Sequence, residues 1–203
     1  MDEKHIAVLA GDGIGPEIMS EALKAMEKVG EKYEIDFRFK KALVGGAAYD
    51  EYKEHLPKKT IEICRGCEAI LFGSVGGPVN ESHLEKWKGV EKTSLLGLRK
   101  EFGLYANLRP AKLYPALSHA SSLREDIANK GFDILTVREL TGGIYFGDPK
   151  GRQGYKGSED EKAFDTMVYS RREIKRIAHV AFKAAKKRKK KVVSVDKANV
   201  LTT

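Results

Sequence analysis

Two apolar runs, Ile6-Ala7-Val8-Leu9-Ala10 and Ala69-Ile70-Leu71-Phe72, have the continuity expected of strands buried on both faces of a parallel sheet. Each run ends in a glycine-rich loop, Gly11-Asp12-Gly13-Ile14-Gly15-Pro16-Glu17 after the first and Gly73-Ser74-Val75-Gly76-Gly77-Pro78 after the second. Ile18, Ala22, Ala25, Met26 and Val29 recur at helical spacing behind the first loop and predict a helix to about Val29. Pro16 suits its first position and Glu17 its positive end. Ile35-Asp36-Phe37-Arg38-Phe39 alternates in the strand period, and a helix around Lys58 to Arg65 leads into the second run.

A further helix is predicted from about Thr93 to Phe102, after which the pattern shifts toward strands: Tyr105 to Arg109, Asp133 to Arg138, and Gly143 to Phe146. Residues 148 to 162 are polar and suit an exposed arm or hairpin, and Ala163 to Tyr169 returns to a strand pattern. Ser170 with Glu173 forms a capping box for a helix carrying Ile174, Ile177, Ala178, Ala181 and Ala185, and Val192-Val193-Ser194-Val195 reads as a last buried strand. The fold class is therefore α/β, with a domain change near residue 100 that separates 1–100 from 101–203.

Glycine loops at the carboxyl ends of two apolar strands are what a ligand crevice in an open α/β sheet needs. Neither loop has the G-x-G-x-x-G spacing of a dinucleotide fingerprint, and G-x-x-x-x-G-K-[ST] is absent.

With 41% hydrophobic and 33% charged residues in 203, the chain can build a packed core and is not wholly disordered. No apolar run is long enough to cross a bilayer and the N-terminus has no signal-like segment, so the expectation is a cytoplasmic protein with no membrane partner. The net charge of +8 is local: Lys183 and the run Lys186 to Lys191 set aside, the rest is about +1. That run closes a predicted helix, whose C-terminal dipole favours cations, and no aromatics are interleaved to stack on bases, which argues against nucleic acid. Cys64 and Cys67 lack a second pair to complete a zinc site, even with His55 nearby, and read as reduced structural thiols at a helix end.

Candidate chemistry comes from cations. Arg99, Arg109 and Arg138 stand at or near the ends of predicted elements, and several guanidinium groups together suit a small dianionic or trianionic substrate because each grips a carboxylate with parallel hydrogen bonds. Tyr145, in a turn-like Thr141-Gly142-Gly143-Ile144-Tyr145-Phe146-Gly147, and Lys197, just past the last apolar run, can exchange protons in an electropositive pocket.

Five segments, in order, resemble the motifs of the metal-dependent β-decarboxylating dehydrogenases: the two glycine loops, Ala106-Asn107-Leu108-Arg109-Pro110, Val137-Arg138-Glu139-Leu140 with the Thr141 to Gly147 turn, and Val195-Asp196-Lys197-Ala198-Asn199-Val200-Leu201. Leu95-Leu96 ahead of Gly97-Leu98-Arg99 resembles the isopropylmalate branch of that family, where a branched aliphatic substituent needs an apolar wall. An unpaired carboxylate against two leucines would cost several kcal/mol, on the order of what burying any unpartnered polar group costs.

The resemblance implies an isopropylmalate-dehydrogenase-like two-domain open sheet, incomplete at the C-terminus, that oxidatively decarboxylates a small-molecule substrate with NAD and Mg2+ or Mn2+. Tartrate- or isocitrate-type dehydrogenases are the alternatives within the family, and a basic remnant that binds nucleic acid is the alternative outside it. Arg99, Arg109 and Arg138 would hold carboxylates and Leu95 and Leu96 the apolar substituent. Lys197, reaching across a homodimer interface, would take the hydroxyl proton, and Tyr145 would protonate carbon. Ile14, Asn199 and the loop Gly73, Ser74, Val75, Gly76, Gly77 and Pro78 would lie near the cofactor. The family's metal-binding aspartates lie beyond the segment resembled, so the chain alone is expected to be inactive and prone to aggregate, with strands such as Ile6 to Ala10 and Ala69 to Phe72 short of neighbours.

Overall fold

A computed structural model describes residues 2–202 and divides the chain into two compact units, Met1–Phe102 and Gly103–Thr203. The first unit carries β1 (Asp2–Gly11), α1 (Gly15–Tyr33), β2 (Ile35–Lys41), α2 (Gly46–Tyr52), α3 (Lys58–Arg65), β3 (Ala69–Ser74), α4 (Val90–Thr93) and α5 (Leu95–Glu101). Its sheet is parallel with strand order β2-β1-β3, so that Ile6 pairs with Phe39 on one side and with Ala69 on the other.

The central place of β1 explains its unbroken apolar run. Ile6, Ala7, Val8 and Leu9 are all buried because a central parallel strand is paired at both edges and has helices α1, α2 and α3 packed over it. Ala7 and Leu9 meet Val44, Cys64 and Leu98 in the core, with Leu56, Ile63, Phe72 and Phe102 packed around them. The expectation that Ile6 to Ala10 would lack neighbours is thus overturned, whereas β3 is a sheet edge, bonded among the described residues to β1 alone.

The stripe expected on α1 is displaced by about one residue. Met19, Ala22, Leu23, Met26 and Gly30 are its buried or half-buried positions, while Ile18, Ala25 and Val29 face water. Apolar residues flank both sides of the true stripe, so periodicity alone does not choose between adjacent faces; the seating of Gly30 against Ile35 and Phe37 of β2 does. α1 stops at Glu34, whose φ of 57° is left-handed and turns the chain into β2. Between α1 and the sheet lies an open cavity of about 510 Å³, lined by Val8, Met19, Leu23, Ala42 and Leu43. Ser20, Lys24, Glu27 and Lys41 also line it.

The second unit carries β4 (Ala106–Lys112), α6 (Glu125–Ala128), β5 (Asp133–Glu139), the exposed hairpin of β6 (Lys150–Gln153) and β7 (Lys162–Asp165), and α7 (Arg171–Lys186). β4 and β5 form an antiparallel ribbon, with Asn107 opposite Arg138 and Arg109 opposite Thr136. α7 begins with the Ser170–Glu173 capping box and packs on β5. Two ion pairs mark its direction: Arg176 bonds Glu139 at one end of β5 and Arg188, just past the helix, bonds Asp133 at the other. About 18 Å of helical rise matches about 20 Å of strand between these points, so helix and strand run antiparallel in close register.

Three strand readings are corrected. Gly143–Tyr145 is a short 3-10 turn, because Gly143 adopts a φ of 73° that a strand does not allow. β7 ends at Asp165 and does not reach Tyr169. Val192 to Val195 is irregular, with Val195 91% exposed, since no strand edge among the described residues pairs with it. β-branched residues alone do not make a strand without a ladder to join.

Candidate functional site

In the first unit the two glycine loops are bonded to each other. The Asp12 N–H donates to the Ser74 carbonyl at 2.7 Å and the Ser74 hydroxyl donates to the Asp12 carbonyl at 2.8 Å. Gly11, at a φ of +74°, lies so close that a Cβ would strike the Ser74 carbonyl, which explains why glycine stands where β1 leaves the sheet. The buried Asp12 side chain then gathers a third segment: it accepts from the N–H groups of Gly46 (2.8 Å), Ala47 (2.8 Å) and Gly76 (3.1 Å). One carboxylate fixes the starts of both loops and of α2, and Ile14 is left 60% exposed on the first loop.

Beside these loops, Trp87 covers Gly46 and Gly77, and the buried His55 bonds Thr93 Oγ1 (2.7 Å) and the Lys86 carbonyl (2.8 Å). With both ring nitrogens engaged, His55 is a structural link. Cys64 and Cys67 are free thiols, and burial pushes the Cys64 thiol up to about 11, where it is protonated and inert at neutral pH. Leu95 and Leu96 lie half-buried at the start of α5, with Arg99 half-buried in its last turn.

In the second unit the structure brings three expected residues together. Paired residues of an antiparallel ribbon share a face, so Arg138 opposite Asn107 and Arg109 two residues further along β4 are diagonal neighbours. That face is the one α7 leaves open, because the ion pairs of α7 use Asp133 and Glu139, the alternate positions of β5. Tyr145 joins Arg138: the Arg138 guanidinium carbon lies 5.4 Å from the centre of its ring, and the tyrosine is half exposed. The arrangement offers two forked cations and a phenol to one anionic ligand.

Behind this face stands a buried cluster that the sequence reading missed. Glu139 Oε2 accepts from the N–H groups of Thr141 (2.8 Å) and Gly142 (2.7 Å), and Oε1 accepts from the Thr141 hydroxyl (2.9 Å) and from Arg176 (2.6 Å). Arg176 also donates to the Thr141 hydroxyl and lies 4.5 Å from the centre of the Tyr105 ring. One local signal was available for Glu139: an acid just ahead of Thr-Gly-Gly is suited to accept the N–H groups of a turn. Nothing local signals Arg176 or the three partners of Asp12.

Lys197 and Asn199 are exposed in a turn in which the Lys197 carbonyl accepts from Val200 and Leu201, and Asp196 accepts only from the Ala198 N–H. Of the basic run, Arg188 is committed to Asp133. Among the described residues no group of three or more His, Cys, Asp or Glu side chains could hold a metal ion, so the implied metal does not fit the residues present. The implied nicotinamide cofactor meets a better surface: a Cβ at Gly13 or Gly76 would point into open space beside Ile14 and Val75, which leaves backbone accessible to a flat ligand. No helix among the described residues is long and apolar enough to cross a membrane.

Comparison with known proteins adds an independent line. Residues 5–203 match the model of a family described as isocitrate/isopropylmalate dehydrogenase. A 3-isopropylmalate dehydrogenase of Desulfotalea psychrophila is 56% identical over 200 residues, covering 98% of this chain and 55% of that protein. Another, of Mannheimia succiniciproducens, is 57% identical over 201 residues, covering 99% and 55%. Among solved structures, a β-decarboxylating dehydrogenase of Thermococcus kodakarensis in its apo form superposes with a TM-score of 0.67 at 32% identity, covering 98% of this chain and 50% of that one. The chain spans about half the length of the relatives it matches.

Proposed function

Because the chain belongs to the isocitrate/isopropylmalate dehydrogenase family and has its α/β fold, we propose that it carries part of the machinery for NAD-dependent oxidative decarboxylation of (2R,3S)-3-isopropylmalate to 4-methyl-2-oxopentanoate, a step of leucine biosynthesis. The observation that carries this reading is the open face of the β4–β5 ribbon, where Arg109 and Arg138 are diagonal neighbours and Tyr145 lies against Arg138.

Arg109 and Arg138, with Arg99, bind the two carboxylates of the substrate, and Leu95 and Leu96 contact the isopropyl group. Lys197 takes the proton of the 2-hydroxyl, from a partner copy in a homodimer. Ile14, Asn199 and the Gly73 to Pro78 loop would hold NAD, which would supply the acceptor for the hydride of C2. With C2 now a ketone, the carboxyl group on C3 departs as carbon dioxide and leaves its electron pair on the carbon skeleton. Tyr145 returns a proton to C3. The arginines serve the reaction by orientation, since bidentate grip fixes which face of C2 is presented for hydride loss.

The test supplies what the described residues lack, a set of metal ligands. The chain is co-produced with the remaining segment of the Desulfotalea relative and assayed for NADH formation with Mg2+ or Mn2+. NADH from 3-isopropylmalate, and not from isocitrate or tartrate, is expected. Arg138→Gln should lower kcat/KM roughly tenfold to a hundredfold, the loss of one charge-assisted pair. Preference for isocitrate or tartrate, or indifference to Arg138, overturns the reading.

A further inference from the structure

We infer that Glu139 and Arg176 are positioning residues: together they form a clasp that holds the Thr141 to Gly147 turn so that Tyr145 lies against Arg138. The inference rests on the functional reading of Tyr145 and Arg138 given above.

The geometry begins with strand alternation. Arg138 and Glu139 are adjacent on β5 and therefore point to opposite faces, Arg138 to the open side with Tyr145 and Glu139 to the side covered by α7. The backbone that carries one carries the other. All four acceptor positions of the Glu139 carboxylate are used, two by N–H groups of the turn, one by the Thr141 hydroxyl and one by Arg176. A turn held this way cannot rotate about Leu140 without giving up charge-assisted bonds in a part-buried place.

Further contacts hold the turn at Gly142 and Gly143. The Gly143 N–H donates to the Val168 carbonyl and the Gly147 N–H to the Gly143 carbonyl, both at 2.8 Å, and the Tyr169 ring lies flush against Gly142 and Gly143. Tyr145 thus follows a span pinned at Thr141, Gly142 and Gly143 and closed on itself by Gly147, yet its own side chain is half exposed and contributes little packing. Stability alone does not account for the clasp. The Arg176 Nε is buried with no acceptor among the described residues, a cost that an apolar side chain over Tyr105 would avoid. What the ion pair supplies over an apolar contact is direction: a carboxylate fixed by a guanidinium can aim its remaining lone pairs at two particular N–H groups.

The experiment is NMR on the whole chain with tyrosines labelled at 13Cζ, the Tyr145 signal being assigned by its loss in Tyr145→Phe, together with amide exchange at Thr141 and Gly142. Glu139→Gln is expected to speed exchange at both amides at least tenfold and to shift and broaden the Tyr145 signal, while the Tyr33 and Tyr49 signals of the first unit stay in place. Arg176→Lys, which keeps the charge and loses the fork, is expected to restore part of both effects relative to Arg176→Met. If Glu139→Gln does not fold, the same readings on Thr141→Val decide, since that change removes one hydroxyl from the clasp and leaves the ion pair. Folded variants with unchanged amides and an unchanged Tyr145 signal overturn the inference. Neither reading needs dehydrogenase turnover, so failure of the functional proposal and failure of the clasp are separate outcomes.

Discussion

Asp12 and Glu139 are the two acids on which the two units organise their loops, and they do it with different partners. Asp12 meets backbone alone, accepting from Gly46, Ala47 and Gly76. Glu139 meets two backbone N–H groups, a hydroxyl and a guanidinium. The difference follows from the surroundings. Around Asp12 three segments converge, and the N–H groups of a helix start and one loop supply enough donors to replace water around a carboxylate. Glu139 serves one turn and lies under a helix, where two N–H groups leave half of its acceptor capacity open for the Thr141 hydroxyl and Arg176. An acid held by backbone is a hinge pin for main chain; an acid held by an arginine also ties that main chain to another element.

The contrast can be broken by truncation. Glu139→Ala strands the mostly buried Arg176 charge, and the second unit should lose about 3 kcal/mol in urea unfolding followed by exchange of its own amides. Asp12→Ala leaves three donors orphaned but no counter-charge, so about 2 kcal/mol is expected, with exchange quickened at Gly46, Ala47 and Gly76. Equal losses for the two would show that the cation makes no difference. Ser170→Ala, at the exposed start of the same helix that carries Arg176, should cost about 1 kcal/mol as an N-cap loss.

Acid sharpens the same point. Hydrogen bonds from the Ser170 N–H, and then from its hydroxyl, hold the Glu173 carboxyl below its ordinary value. Its stabilising effect is therefore complete above the usual carboxylate range and lost as pH falls through the lowered value. Amides in the first turn of α7 should exchange faster in that acid window, and Glu173→Gln should abolish the change. The smallest effect belongs to Arg188→Ala, at the open end of α7, where no measurable loss of stability is expected because water screens the pair with Asp133.

Legibility in the sequence followed how local each cause was. Ile6 to Leu9 read as a doubly covered strand because burial on both faces selects apolar residues at every position. Ser170 and Glu173 announced α7 because a capping box is complete within four residues. The stripe of α1 was misplaced by one residue because the choice of face depends on β2, and Val192 to Val195 was misread because a strand is defined by a neighbour and not by its own side chains. Arg109, Arg138 and Tyr145 could be named individually from their motifs, but that two of them share the uncovered face of one ribbon depends on its register.

The sequence by itself determined the α/β class, the two glycine loops at strand ends, the start of α7 and the cations available for an anionic ligand, since each is written in residues close together along the chain. Only the tertiary structure decided which face of the ribbon α7 covers, which leaves Arg109 and Arg138 open with Tyr145, and which backbone groups Asp12 and Glu139 collect. Those partners lie 34 to 64 residues from Asp12, and 37 residues separate Glu139 from Arg176. A buried carboxylate takes whatever donors folding brings to it, and no spacing in the chain encodes that meeting.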